Sequence, residues 1–311
     1  MTVTVYRSTD AGAPTLNGVR GSFTAVLRAC LADGYGTKPS SGWTVPFTGT
    51  NLAVLKMPAT SNGRYLWVDE QSQDNNVVMV GFENMTSLTA GTGRFPLPSM
   101  VPPILTRSIS YGSAATQSWM IVASDKIFYM WWNAGGTIPS VYMYTFAFGD
   151  FISYLPNDIY NTIMMSPTSI NSYALQQIIP TATDSTVSPG HYMPRNYTQT
   201  GGAIQVTKTS DYAKIGGLVL GAQGMPFPNP VDGKIYVAPL YISESVGSTY
   251  GILRGVLPGV HAPCFKAAGT INDGDVLTDV IGLEGKTLEC KTVNSAGQGI
   301  GMVILETSNT W

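Results

Sequence analysis

The sequence predicts a mainly β protein with a minor α+β N-terminal part, its antiparallel sheets forming a β-sandwich or a barrel-like unit, with one helix near residues 22–33. Three observations carry that expectation. Short apolar or alternating runs recur along most of the chain, separated by Gly, Asn, Asp and Ser. Several of these separators are turn signals such as Asn62-Gly63 and Ser124-Asp125-Lys126. Only one segment shows the spacing of an amphipathic helix.

Met1 to Tyr6 alternates in the manner of a strand. Ser22 then stands where a helix N-cap is wanted, and Phe23, Val26, Leu27, Cys30 and Leu31 follow at helical spacing. Gly34 lies just past the last apolar position and suits a left-handed helix end. Leu52–Met57, Arg64–Glu70 and Val77–Glu83 read as strands, the first two joined through the Asn62-Gly63 turn. Trp119–Ala123 and Ile127–Trp132 form a second expected hairpin. Ser140–Phe148 places Tyr142, Tyr144, Phe146 and Phe148 on one face, as a covered sheet face requires.

Residues 156–214 are rich in Ser, Thr, Pro, Asn and Tyr and read as an elaborated loop or contact arm. Strand patterns return in Lys234–Glu244, Tyr250–Leu257 and Ile300–Glu306. Trp311 is expected either to enter the core or to anchor on a neighbour. Two domains follow from this pass: an α+β unit over residues 1–155, and a β-rich unit over 156–311 that carries the 156–214 loop region.

Composition narrows the function. Charged residues make up only 12% of the 311, against about 25% in an ordinary soluble domain, while hydrophobic residues reach 44%. A free monomer covers itself with charge, so the shortage predicts that much of the surface meets other protein. The net charge is −2, with no basic stretch to displace counterions, which argues against a nucleic-acid partner. No apolar run is long enough to span a bilayer, and the N-terminus lacks the order of a signal peptide; synthesis in a cytosol without general secretion is expected. Three widely spaced cysteines, Cys30, Cys264 and Cys290, read as free and mostly buried thiols.

Candidate chemistry is sparse. The chain has two histidines: His191 reads as a surface-loop residue, and His261 stands three residues before Cys264 without the further ligands of a zinc site. Asp150, Asp158 and Asp184 are the carboxylates a polysaccharide-degrading enzyme would need, although Asp150 and Asp158 also suit turn-forming aspartates. Tyr192, Tyr197 and Trp132 would serve a carbohydrate- or receptor-binding module by stacking on sugar faces. Gly216–Gly221 lacks the Lys-Ser/Thr of a phosphate loop, and Gly297–Gly301 leads into a strand. No catalytic, cofactor or metal residue is assigned, and no enzyme activity is expected.

The order of several segments carries a resemblance. Val5-Tyr6-Arg7-Ser8-Thr9-Asp10-Ala11-Gly12-Ala13-Pro14 precedes the helix, which ends in Leu31-Ala32-Asp33-Gly34-Tyr35-Gly36, and Gly42-Trp43-Thr44-Val45-Pro46-Phe47-Thr48-Gly49-Thr50-Asn51 follows. Phe148-Gly149-Asp150 and Leu253-Arg254-Gly255-Val256-Leu257-Pro258-Gly259 are later landmarks. Together these resemble a family of uncharacterised virion-associated proteins encoded in the structural gene blocks of tailed bacteriophages. The resemblance implies a structural role in the tail, baseplate, neck or capsid surface, with no activity, cofactor or site residue to transfer. The partners expected on that role are other virion proteins and copies of the chain itself; a host-surface glycan is the partner that the Tyr192, Tyr197 and Trp132 reading would add.

Overall fold

The computed structural model describes residues 1–71, 76–100, 105–107, 116–133, 143–166, 190–209, 228–246, 250–264, 271–295 and 299–311. The protein is mostly β, as its sequence predicts, and its three sheets are antiparallel and open, none closing into a barrel. Among the described residues, one short α-helix continued by a π-helical turn accompanies them.

The central sheet runs in the order β1 (Val3–Arg7), β8 (Trp119–Ser124), β9 (Ile127–Asn133), β10 (Met143–Asp150), β12 (Thr162–Met165), β13 (His191–Met193) and β14 (Ile204–Gln205). The β8–β9 hairpin forms where expected, with Ala123 opposite Phe128. The Ser124 hydroxyl oxygen closes its turn by accepting the Lys126 and Ile127 N–H groups, each at 3.2 Å. Beyond residue 155 the chain continues in this sheet: β12 pairs with β10, placing Thr162 opposite Asp150. The 156–214 region therefore contributes β12, β13 and β14 to the central layer. Residues 167–189 and 210–214 of that region, with Asp184, lie outside the described residues.

Both faces of the central sheet are covered. On β9, Phe128, Met130 and Trp132 enter one core, while Ile127, Tyr129 and Trp131 enter the other. The first core is closed by the third sheet, whose strands are β2 (Thr44–Gly49), β3 (Leu52–Lys56), β4 (Tyr65–Asp69), β5 (Asn76–Met85) and β6 (Gly91–Phe95), with β7 (Leu105–Arg107) on β5. It supplies Leu55, Leu66, Val68, Val77 and Met79. The second core is closed by a sheet ordered β15 (Thr207–Thr209), β16 (Val237–Val246), β17 (Tyr250–Pro263), β20 (Gly299–Glu306), β19 (Leu288–Ser295), β18 (Val276–Leu277), with β11 (Ile152–Ser153) also paired to β17. Leu240, Ile242, Leu257, Val260, Val303 and Leu305 come from it. The result is three β layers, and each large side chain buried between them is worth roughly 1.5–3 kcal/mol of hydrophobic stabilisation.

Aromatic packing ties the layers together. Phe148 stacks on Phe95 of the third sheet with ring centroids 5.9 Å apart and meets Trp43 edge-on at 6.1 Å. Trp311 takes the interior option. Its ring lies 5.7 Å from Tyr129, and its indole N–H donates to the Glu306 carbonyl at 2.7 Å.

The helix α1 (Ser22–Arg28) buries Phe23, Val26 and Leu27 against the first core and passes into a π-helical turn, Ala29–Asp33, which buries Cys30 and Leu31. The turn ends with the Gly34 N–H donating to the Ala29 carbonyl. Gly34 has φ +77°, and a Cβ there would stand 2.9 Å from the Lys38 carbonyl oxygen, so the residue is required to be glycine. The N-terminus differs from expectation. Gly21 precedes the first helical residue, and the Ser22 hydroxyl instead donates to the Asn17 carbonyl. The capping acceptor is Glu70, at the end of β4, whose carboxylate accepts the Phe23 and Thr24 N–H groups at 3.3 and 2.9 Å.

Candidate interaction surface

The sequence-derived candidates fall into separate environments. Asp150 ends β10 and is buried, where it accepts the Asn62 N–H at 2.7 Å and the Thr162 hydroxyl. Asn62 was expected to share a two-residue turn with Gly63. Gly63 alone of the pair has positive φ, and a longer loop joins β3 to β4, freeing the Asn62 side chain to reach Asp150 and Asn161. Asp158 belongs to a different network, described below. His191 is fully buried on β13, contrary to the surface position expected for it, because its strand lies within the central sheet, where the adjacent Tyr192 and Met193 enter the two cores. His261 lies on β17 with Nε2 3.9 Å from the Glu306 carboxylate. Cys30 and Cys290 are buried thiols and Cys264 is partly buried; none is paired. Among the described residues no group of three or more His, Cys, Asp or Glu side chains is placed to hold a metal. Nor is any described helix long and apolar enough to cross a membrane.

Of the three aromatics considered for sugar stacking, Trp132 and Tyr192 are buried in the first core. Tyr197 is exposed.

Burial pushes the Asp150 carboxyl above its ordinary range, and the bonds from Thr162 and Asn62 lower it only in part. A carboxyl raised on folding holds its proton more tightly in the folded chain. Its contribution to stability is present below the unfolded pKa and is lost as pH rises through the folded value. Urea unfolding of the wild type and Asp150→Asn from about pH 4 to about pH 7 is expected to show the wild type losing stability relative to the variant as pH rises. A difference constant across that range would contradict this account.

The most distinctive surface feature is the loop over residues 151–161. Its ends meet: the Phe151 N–H donates to the Asn161 carbonyl at 3.1 Å, and the Asn161 amide donates back to the Phe151 carbonyl. Its polarity is inverted. Ile152, Tyr154 and Ile159 point outward, whereas Asp158 is turned in with its side chain 1% exposed. Tyr197 and Leu253 project from the segments against which the loop rests, and the five apolar or aromatic side chains are between 38% and 54% exposed.

One buried ion triad lies beneath them. Arg254 on β17, 1% exposed, donates through Nη2 to Asp158 Oδ2 at 2.6 Å and through Nη1 to Glu244 on β16. The Arg254 carbonyl accepts the Tyr154 N–H at 2.7 Å. Ser153 Oγ donates to Asp158 Oδ2 at 2.7 Å, Asp158 Oδ1 accepts the Tyr160 N–H at 2.9 Å, and Glu244 Oε2 accepts the Tyr197 N–H at 3.0 Å. Beside the triad, the Tyr160 ring sits between two guanidiniums, with Arg64 Cζ at 5.0 Å and Arg195 Cζ at 4.6 Å from its centroid. Arg195 is bidentate to Glu83 at 2.9 and 3.1 Å, and Arg64 donates to the Ile159 carbonyl at 2.7 Å. Gly255 completes the base: a Cβ there would lie 2.1 Å from the Ile152 carbonyl oxygen, so only glycine lets β11 approach β17 this closely.

Chemically this arrangement is a platform. Its carboxylates are bonded to arginine, hydroxyl and backbone N–H groups, and its outward atoms are carbon and phenol. Sequence reasoning singled out Asp158 but not Arg254, Glu244 or the outward Ile152, Tyr154 and Ile159. The available signal was the crowding of Ile, Tyr and Leu around Pro156-Asn157-Asp158, an unusual richness for a turn. No protein-family model matches the chain, and no curated protein matches it.

Proposed function

We propose that this protein is a non-enzymatic structural component of a tailed-phage virion, in its tail, baseplate or neck, acting through multivalent contacts with other virion proteins and with copies of itself. The observation that carries the reading is the 151–161 loop, which turns Asp158 inward into a buried ion triad and Ile152, Tyr154 and Ile159 outward. Loops ordinarily do the reverse, and an exposed apolar cluster on a rigid base has the make-up of a protein-binding patch. The 12% charge content of the whole chain supports extensive coverage by protein neighbours. The ordered landmarks from Val5 to Gly259 supply the link to phage particles. On this reading the chain is made in the bacterial host cytoplasm and resides in the virion, with no cofactor and no direct contact to nucleic acid.

Peptide mass spectrometry of gradient-purified particles from the producing host is the direct test. The chain is expected to co-purify with the particles at a stoichiometry of several copies or more. Its absence from them, with the protein abundant in the lysate, would overturn the proposal.

A further inference from the structure

We propose that Asn17 is a site of spontaneous covalent modification: the turn it opens promotes loss of its side-chain amide as ammonia and conversion to aspartate and isoaspartate, while the same residue pair at Asn62 is protected by the fold.

Asn-Gly occurs twice in the sequence, at Asn17-Gly18 and Asn62-Gly63. The pair suits this chemistry because glycine, without a side chain, leaves the attacking backbone nitrogen uncrowded. The Gly18 nitrogen gives up its proton to solvent and bonds to Asn17 Cγ. The Cγ–Nδ2 bond then breaks, and Nδ2 takes a proton from solvent and leaves as ammonia. Water opens the resulting five-membered imide at either carbonyl. Cleavage of the new Cγ–N bond gives aspartate, whereas cleavage of the original peptide C–N bond gives isoaspartate, with the chain running on through Cγ. Water is the only reagent, and nothing is oxidised or reduced.

Three features promote the attack at Asn17. Among the described residues, the Gly18 N–H is committed to no acceptor, so the nucleophile is free. Asn17 Oδ1 accepts the Val19 N–H at 3.0 Å in an Asx turn. That donor is aimed at the oxygen on which negative charge develops as the nitrogen adds, where a fixed N–H lowers the barrier. The Ser22 hydroxyl donates to the Asn17 carbonyl at 2.7 Å and accepts the Asn17 N–H at 3.4 Å, holding the backbone beside the reacting groups. Val19 is 57% exposed, so the turn is open to water.

At Asn62 the same groups are withheld. The Gly63 N–H donates to Ser61 Oγ at 3.2 Å. Asn62 Nδ2 donates to Asn161 Oδ1 at 2.6 Å and to Asp150 Oδ1 at 3.3 Å, which holds the departing amide and keeps the side chain from turning toward Gly63. Reaction there must wait for a local opening that breaks these bonds. The product matters to the fold at Asn17: isoaspartate turns the carbonyl that accepts the Ser22 hydroxyl into a free carboxylate and lengthens the chain by a methylene, so the lead into α1 must rearrange.

The full chain, folded and in urea, is incubated in mildly alkaline buffer and sampled by tryptic mass spectrometry. Trypsin releases Asn17 in residues 8–20 and Asn62 in residues 57–64, each peptide holding one Asn and no Gln, so a mass gain identifies the residue. In the folded chain Asn17 is expected to convert at least about tenfold faster than Asn62, the ratio that a modest opening cost imposes. In urea the two rates are expected to converge. Similar rates in the folded chain would overturn the inference. A ratio that urea leaves unchanged would also overturn it, because the local sequence and not the fold would then set the difference.

Discussion

Replacing Arg254 with Met is expected to destabilise the protein by about 3–5 kcal/mol, the usual loss when one partner of a buried ion pair is removed. The variant keeps an unbranched apolar stem but removes the guanidinium that joins Asp158 to Glu244, in a site where Arg254 is 1% exposed. Two buried carboxylates without their cation must either take up protons or draw in water, and either outcome loosens the segments they hold. The loss is local first. Hydrogen exchange is expected to rise at Tyr154, Tyr160 and Tyr197, whose N–H groups donate to Arg254, Asp158 and Glu244, while the central hairpin β8–β9 keeps its protection. A second variant separates charge from packing. Changing Asp158, Glu244 and Arg254 together to Leu, Met and Met removes the unpaired charge and is expected to recover most of the stability, because apolar replacements of buried ion triads are often neutral or better. If Arg254→Met unfolded at the wild-type urea midpoint with an unchanged exchange pattern, the triad would not be the support of this surface.

How far the sequence discloses this architecture depends on how local each cause is. The helical residues are legible because Phe23, Val26, Leu27, Cys30 and Leu31 carry their own period. Their cap is not, because Glu70 reaches Phe23 and Thr24 from the end of a strand far along the chain. The β3–β4–β5 strands and the β8–β9 hairpin are legible from apolar runs and turn residues, with bounds within a few positions of those observed. His191 was misplaced for a physical reason: a three-residue strand beside Ser188-Pro189-Gly190 is too short to show alternation, so the turn signal dominates. The Asn62-Gly63 pair misled in the same way, since the Asn62 side chain is committed to Asp150 rather than to a tight turn.

The interaction surface was the least legible feature. Glu244 and Arg254 stand ten residues apart on strands that pair, but Asp158 lies far away in sequence, and nothing in its own segment reveals that the 151–161 loop brings it to Arg254. Sequence shows residue types well and convergence poorly. An outward-facing Ile in a loop is visible as a surplus only after the inward-facing Asp beside it is known to be paired.

The three-layer arrangement makes an equally large prediction at two adjacent residues. Trp131 and Trp132 follow one another on β9, so their side chains leave the central sheet on opposite sides. In a two-layer sandwich one of them would face solvent, and its replacement would cost no more than about 0.5 kcal/mol. Here both are 1% exposed, Trp131 in the core shared with β16, β17 and β20, and Trp132 in the core shared with the third sheet and the helix, where its ring centroid lies 5.2 Å from that of Phe23. Trp131→Ala and Trp132→Ala are therefore each expected to cost about 3–5 kcal/mol, from lost burial and the cavity left in a packed interior. Equilibrium urea unfolding gives the test, read as a shift in midpoint at constant slope. The double variant stands to lose about 6–10 kcal/mol, comparable with the whole stability of an ordinary domain, and is expected to be unfolded without denaturant. Near-neutral behaviour of either single variant would mean that one face of the central sheet is open, and the three-layer description would fall. Equal, large losses from neighbouring residues require that both faces be closed, which explains why the apolar runs of β8 and β9 are nearly continuous where a half-exposed strand would alternate.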